Sequence, residues 1–458
     1  MLDCLFDLAF VQGTQKQISK QIFALAWPAI AVNITTPLLS LVDVAVVGHI
    51  GNSVYIAAVA LGAVMFNTLY WLFGFLRMGT SGLTAQAFGA HDGAQCVRCL
   101  VRALLIAVVA GALLIVLSGL LSQGLLALLA DGDEAAADAR RYFGVAVFGA
   151  PGMLVTYALS GWFLGMQTSR PMLWMALIAN TLNIALNIIF VLVCRMDVVG
   201  VGAATAIAQW VSAGVGIIIL RGQLKRLKNK GFNIGGWQRG LLRLDGLRRF
   251  FSVNSDIFLR TLCLVAVTLW FTRAGAMQGV LMLAANALLM QLFMLFSYFM
   301  DGFAFAGEAL VGRFAGAGNE GALRRTVRQL LAIGLAMAVI ATVVYALSAH
   351  SILGLLTDDP AVVACAAGYK WWAVAVPLAG FASFLWDGVY IGLTRTRLML
   401  ASMLVSTAVF FGLFFGLFQP LANNGLWLAF IAFLFMRGVM QTVFVWMFRL
   451  LKVPGTKV

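Results

Sequence analysis

The sequence predicts an all-α integral membrane protein, with twelve transmembrane helices in two six-helix lobes related by an internal parallel repeat. Composition, the spacing of apolar runs and a repeat along the chain predict it. Of 458 residues, 62% are hydrophobic and 10% charged, and the mean hydropathy is +0.97. Soluble domains carry roughly 25% charged residues. The 34 Phe, 19 Met and 12 Trp also exclude a disordered chain, which could not hold so many large apolar groups in water. At about 20 residues per helical crossing, a dozen crossings use most of the length, which excludes a large cytosolic catalytic domain.

Apolar runs of spanning length fall near 22–47, 54–78, 99–121, 140–165, 171–194, 199–221, 250–274, 280–307, 327–347, 368–392, 398–419 and 424–449. They are continuous, whereas strands of a membrane barrel alternate polar and apolar residues over about ten positions. With the N-terminus cytoplasmic, the loops on that side carry 24 cations against 5 outside, nine of the 24 between Arg221 and Arg249. This asymmetry puts both termini in the cytoplasm and explains the net charge of +14 without nucleic acid. The N-terminal stretch carries Asp3 and Asp7 rather than a basic region and cleavage site, so it is not read as a removable signal.

The repeat has an offset near 227. Gly161-Trp162-Phe163-Leu164-Gly165 is echoed by Gly388-Val389-Tyr390-Ile391-Gly392. Phe88-Gly89-Ala90-His91-Asp92-Gly93-Ala94 is echoed by Ala315-Gly316-Ala317-Gly318-Asn319-Glu320-Gly321-Ala322 with one inserted residue. Six spans separate the copies, so the halves share an orientation. The expected organisation is a cytoplasmic segment 1–20, an N-terminal lobe 21–221, a basic linker 222–249, a C-terminal lobe 250–449 and a tail 450–458. Two parallel lobes suit a transporter that rocks one against the other.

Ionisable residues inside spans are costly and mark function by default. Asp43, about one turn below the outer end of the first span, is the clearest coupling-ion or substrate group. Asn180, Asn183 and Asn187 share a face of the fifth span at i, i+3, i+7, and Thr205 lies at similar depth in the sixth. Such amides bridge to a carboxylate or a cation; their other use is hydrogen bonding between helices. In the second half, Asp301 and Glu308 share a face, and Asp387 lies near the inner end of the tenth span, with Arg395 as a partner within reach. Asp256 and Arg260, at i, i+4, read as a structural pair. Pro28 and Pro37 remove backbone donors from the first span and allow it to bend. The Cys96/Cys99 pair has no second pair and only His91 nearby, so no metal site is expected. His49, His91 and His350 form no HExxH or Ser/His/Asp set, which argues against an enzyme.

Leu41-Val42-Asp43-Val44-Ala45-Val46-Val47-Gly48-His49, Leu83-Thr84-Ala85-Gln86-Ala87-Phe88-Gly89-Ala90 and Asp387-Gly388-Val389-Tyr390-Ile391-Gly392 resemble the multidrug and toxic compound extrusion (MATE) transporters. Phe75-Leu76-Arg77-Met78 and Met300-Asp301-Gly302-Phe303-Ala304-Phe305 resemble its DNA-damage-inducible protein F branch. The resemblance runs from about Ile18 to Arg449. It implies two six-helix lobes and export of lipophilic, often cationic compounds by antiport with protons or sodium. It also implies a coupling carboxylate at Asp43, helix bending at Pro28 and a polar cluster that includes Asn183 and Thr205. Asn187 departs from relatives that carry aspartate there. One carboxylate in this lobe suits a proton better than sodium, which needs several oxygens to replace its water. The expectation is therefore a monomeric multidrug antiporter of xenobiotics in a bacterial-type inner membrane. It uses no cofactor beyond the coupling ion, H+ before Na+, and its partners are an amphiphilic substrate and the lipid bilayer. The alternative is an exporter or flippase of a lipid-linked or cell-envelope intermediate.

Overall fold

The computed structural model describes residues 15–48, 53–129, 135–241 and 243–452, with side chains at all of these but 36–48, 53, 56, 128–129 and 350. Fifteen α-helices lie among the described residues: α1 (Gln15–Gly48), α2 (Ser53–Leu72), α3 (Phe75–Gly89), α4 (Gly93–Val116), α5 (Ser118–Leu129), α6 (Ala135–Ala146), α7 (Ala150–Gly165), α8 (Arg170–Asn187), α9 (Asp197–Asn229), α10 (Leu244–Ala276), α11 (Val280–Gly316), α12 (Glu320–Leu356), α13 (Pro360–Gly392), α14 (Thr396–Leu421) and α15 (Asn423–Met447). Eleven helical stretches among the described residues are long and apolar enough to cross a bilayer, and they coincide with the predicted spans from the second to the twelfth. The first predicted span is α1, 34 residues long.

Local chemistry sets the boundaries. Asp92 opens α4 by accepting from the Gln95 amide at 2.8 Å, and Asn319 opens α12 by accepting from Ala322 at 2.9 Å. Such caps satisfy amides that the first helical turn leaves unpaired. Proline stands in the first turn of α7, α8 and α13, where its missing amide costs nothing. Between α2 and α3 the helical bonding tightens, with Phe73 and Gly74 amides donating to carbonyls three residues back. The two helices together form one span, Ala57–Gly89, with this tightened turn in its middle.

The chain forms two compact units, one of Ala31–Asn254 and one of Met1–Ile30 with Ser255–Val458. The boundary therefore falls inside α1 and inside α10. Residues 21–30, expected with the N-terminal lobe, cluster with the C-terminal one, where Phe23 meets the Phe303 ring edge-on at 5.7 Å and Gly302 leaves room for Ile30.

Within each unit one span is the most enclosed: 67% of an 18-residue apolar stretch in Ala135–Gly165 and 72% of one in Pro360–Gly392 are buried, against 22–44% of such stretches in the other spans. These two carry the glycine echo. A Cβ on Gly161 would overlap the Arg77 carbonyl, and one on Gly388 would overlap that of Ala304. One turn on, a Cβ on Gly165 would lie 2.7 Å from the Ser81 carbonyl oxygen and one on Gly392 2.9 Å from that of Glu308. Every partner is offset by 227, as are the capping residues Asp92 and Asn319. So are three left-handed turn pairs: His91 with Gly318, Gln167 with Thr394, and Arg195 with Ala422. No inserted residue is needed in the second echo. Apolar side chains such as Val116, Ile218 and Trp446 stay exposed, as on a lipid-facing surface.

Candidate functional site

In the N-terminal unit, α8 and α9 bring three of the predicted residues together. The Asn187 amide donates to Asn183 Oδ1 at 2.9 Å, and the Asn183 amide donates to Thr205 Oγ1 at 3.2 Å. Asn183 and Asn187 are buried, Thr205 half-buried. The bonds form because i, i+4 spacing stacks the two asparagines on one face, turned toward the neighbouring helix. Asn180 is half-buried one turn earlier. Directly after Asn187 the helix widens into a π-helical stretch, Ile188–Val193, a form that recurs at functional sites. Pro28 is half-buried on α1. The side chains of Asp43 and Pro37, the segment before residue 15 and the tail from 453 lie outside the described residues.

The C-terminal unit contains a second polar centre. Asp387 on α13 pairs with Arg260 of α10 through Oδ2. Its Oδ2 also lies 3.4 Å from Arg437 of α15, and its Oδ1 accepts from Gln441 at 2.6 Å. Tyr390 holds the Gln441 carbonyl at 2.8 Å, and Trp386 donates to Thr442 at 2.8 Å. Two sequence expectations are corrected here. Arg260 does not pair with Asp256, which accepts instead from Thr396 at 2.7 Å. Asp387 pairs with Arg260 and Arg437, not Arg395. The reason is burial: an intrahelical surface pair gains a few tenths of a kcal/mol, whereas a carboxylate left unpaired in the interior is far more costly. Asp301, half-buried on α11, accepts from Ser297 at 3.3 Å, and Glu308 is buried on the same helix. Sequence reasoning missed Arg437 and misassigned Arg260. Their signal was a cation inside an apolar span, which calls for a partner as surely as an acid does.

A two-lobed, multi-pass helical protein with polar centres buried inside its spans has the build of a membrane transporter. A family model described as MatE matches residues 28–189 and again 256–416. The chain is 37% identical over 432 residues to the DNA damage-inducible protein F of Escherichia coli, covering 94% of this chain and 92% of that one. The chain therefore belongs to the MATE family. It is also 26% identical over 345 residues to a probable multidrug resistance protein NorM of Rhodopseudomonas palustris, covering 73% of this chain and 70% of that one. In fold it is similar to the bent form of the Vibrio cholerae MATE transporter VcmN, with a TM-score of 0.82 and 18% identity over 95% of this chain and 98% of that one.

Proposed function

We propose that this protein is a secondary active exporter of lipophilic or cationic small molecules. It is driven by proton antiport and works by alternating access between its two lobes, both termini being cytoplasmic and the protein monomeric in a bacterial-type inner membrane. Membership of a family with relatives named for multidrug resistance supports export. The observation that carries the site is the Asn187, Asn183, Thr205 chain, in the same unit as Asp43. A carboxylate in an apolar span resists charge, and one proton neutralises it. The three groups of the chain are neutral and supply hydrogen bonds without charge. The Asn187, Asn183, Thr205 chain itself carries no acid, so beside a single carboxylate sodium would lack the charge that repays its dehydration.

The test is flux of a fluorescent lipophilic cation in proteoliposomes. Export should follow an imposed pH gradient, fail with a sodium gradient once the pH gradient is collapsed, and be lost in a folded Asp43→Asn variant. Undiminished export by that variant refutes the coupling role. Movement of a labelled polyprenyl-phosphate lipid with no movement of the cation would favour the envelope-intermediate reading.

A further inference from the structure

Asp387 in the C-terminal unit has more cation around it than one carboxylate requires. Arg260 and Arg437 both address Oδ2, and Gln441 fills Oδ1. All four side chains are buried. Arg437 is held with its guanidinium 5.4 Å from the Phe384 ring centroid and 6.0 Å from that of Phe433, so it is fixed in place by its packing. Asp301 is the other acid whose charge acts on Arg437. The two arginines balance the carboxylates of Asp387 and Asp301, and the cluster needs no outside ion.

We propose that Arg260 is a tethered cation. Its guanidinium occupies the carboxylate an alkali ion would need, so the C-terminal lobe binds no sodium while Arg260 is present. Without Arg260 the remaining charges sum to minus one, the balance that invites a monovalent cation. Oxygens for it are at hand: both Asp387 oxygens and Gln441 Oε1, a buried acceptor with no hydrogen-bond partner. Arg260 is then a specificity-determining residue for the coupling ion. That meaning in transport rests on the antiport reading above, but ion binding can be measured without any transport.

The protein, purified in nanodiscs, is titrated with sodium chloride against choline chloride at equal ionic strength. The readouts are the thermal midpoint and tryptophan fluorescence, with Trp386 beside the cluster as reporter. Wild type and Arg260→Lys should give no sodium-specific response. Arg260→Gln should gain a saturable one, with affinity raised on the order of tenfold or more, since a unit charge changes at contact distance in a weakly screened interior. Arg260→Gln combined with Asp387→Asn should lose it again. A purely structural Arg260 would make Arg260→Gln less stable in both salts with no sodium response, and that result overturns the proposal. So does sodium binding by wild type that Asp387→Asn abolishes. If Arg260→Gln does not survive purification in choline, recovery in sodium supports the proposal and failure in both salts counts against it.

Discussion

Alanine at Gly161 or Gly388 places a methyl group where the neighbouring helix already has a carbonyl oxygen, that of Arg77 or Ala304. Backbone cannot rotate away as a side chain can, so the helices must separate. Overpacking of this kind costs about 1–3 kcal/mol. Against it stands the helix-propensity gain of alanine over glycine, about 0.5–1 kcal/mol. The control comes from the same molecule. Gly214 in α9 and Gly412 in α14 have nothing within 4 Å of a built Cβ, so alanine there keeps the gain and pays no clash. Position 185, the repeat equivalent of Gly412, is already alanine. The two classes should thus differ by about 2 kcal/mol, which in domains near the size of each unit means roughly 4–8 °C in unfolding midpoint. Tryptophan-monitored unfolding of the purified variants measures it. Gly161→Ala and Gly388→Ala should fall together, because the repeat gives them the same contact. Equal midpoints for Gly161→Ala and Gly214→Ala would refute the close backbone packing, and a loss at only one of the first two would refute the equivalence of the halves.

Other outcomes follow from single contacts. Arg102, buried in α4, donates to the carbonyls of Gly240 and Leu241 at 2.8–3.0 Å, pinning the basic linker. Arg102→Ala removes charged hydrogen bonds of about 2 kcal/mol and should speed trypsin cleavage at Arg239 and Arg243 roughly thirtyfold, since cleavage tracks the open population; an unchanged rate would show that the linker is held elsewhere. Asp92→Ala and Asn319→Ala each remove one helix cap and should cost about 1 kcal/mol apiece, the two losses adding in the double variant, as thermal unfolding would show. Thr205→Val leaves the Asn183 amide without its acceptor; it should lower transport in the proteoliposome assay while moving the unfolding midpoint little, and unchanged flux would make the contact purely structural.

The scaffold was legible in the sequence because its determinants are local. Apolar run length sets a span, and small residues spaced four apart set a helix contact. The pairing of Asp387 was not legible, because Arg260 and Arg437 come from helices 127 and 50 residues away in the chain, and i, i+4 spacing offered Asp256 a nearer, wrong partner. The 30/31 boundary escaped for a related reason. One continuous helix gives no change of composition where its contacts pass from one unit to the other.

The repeat also separates residues that build the scaffold from those placed on it. The positions that touch or cap are alike in kind in both halves: Gly161 and Gly388, Gly165 and Gly392, Asp92 and Asn319. The polar centres are not. Shifted by 227, Asn183, Asn187 and Thr205 fall on Phe410, Phe414 and Ala432; the two phenylalanines are buried and stack with ring centroids 6.3 Å apart. In the other direction, Asp387, Arg260 and Arg437 fall on Ser160, Asn33 and Trp210. The same helical frame thus packs with aromatic rings where the N-terminal half has amides, and without an ion cluster where the C-terminal half has one. Packing does not require either polar set. A buried polar group that the frame can do without costs free energy unless something uses it. That asymmetry favours a functional role for the Asn187, Asn183, Thr205 chain over simple helix bonding, and it makes the two lobes chemically unequal.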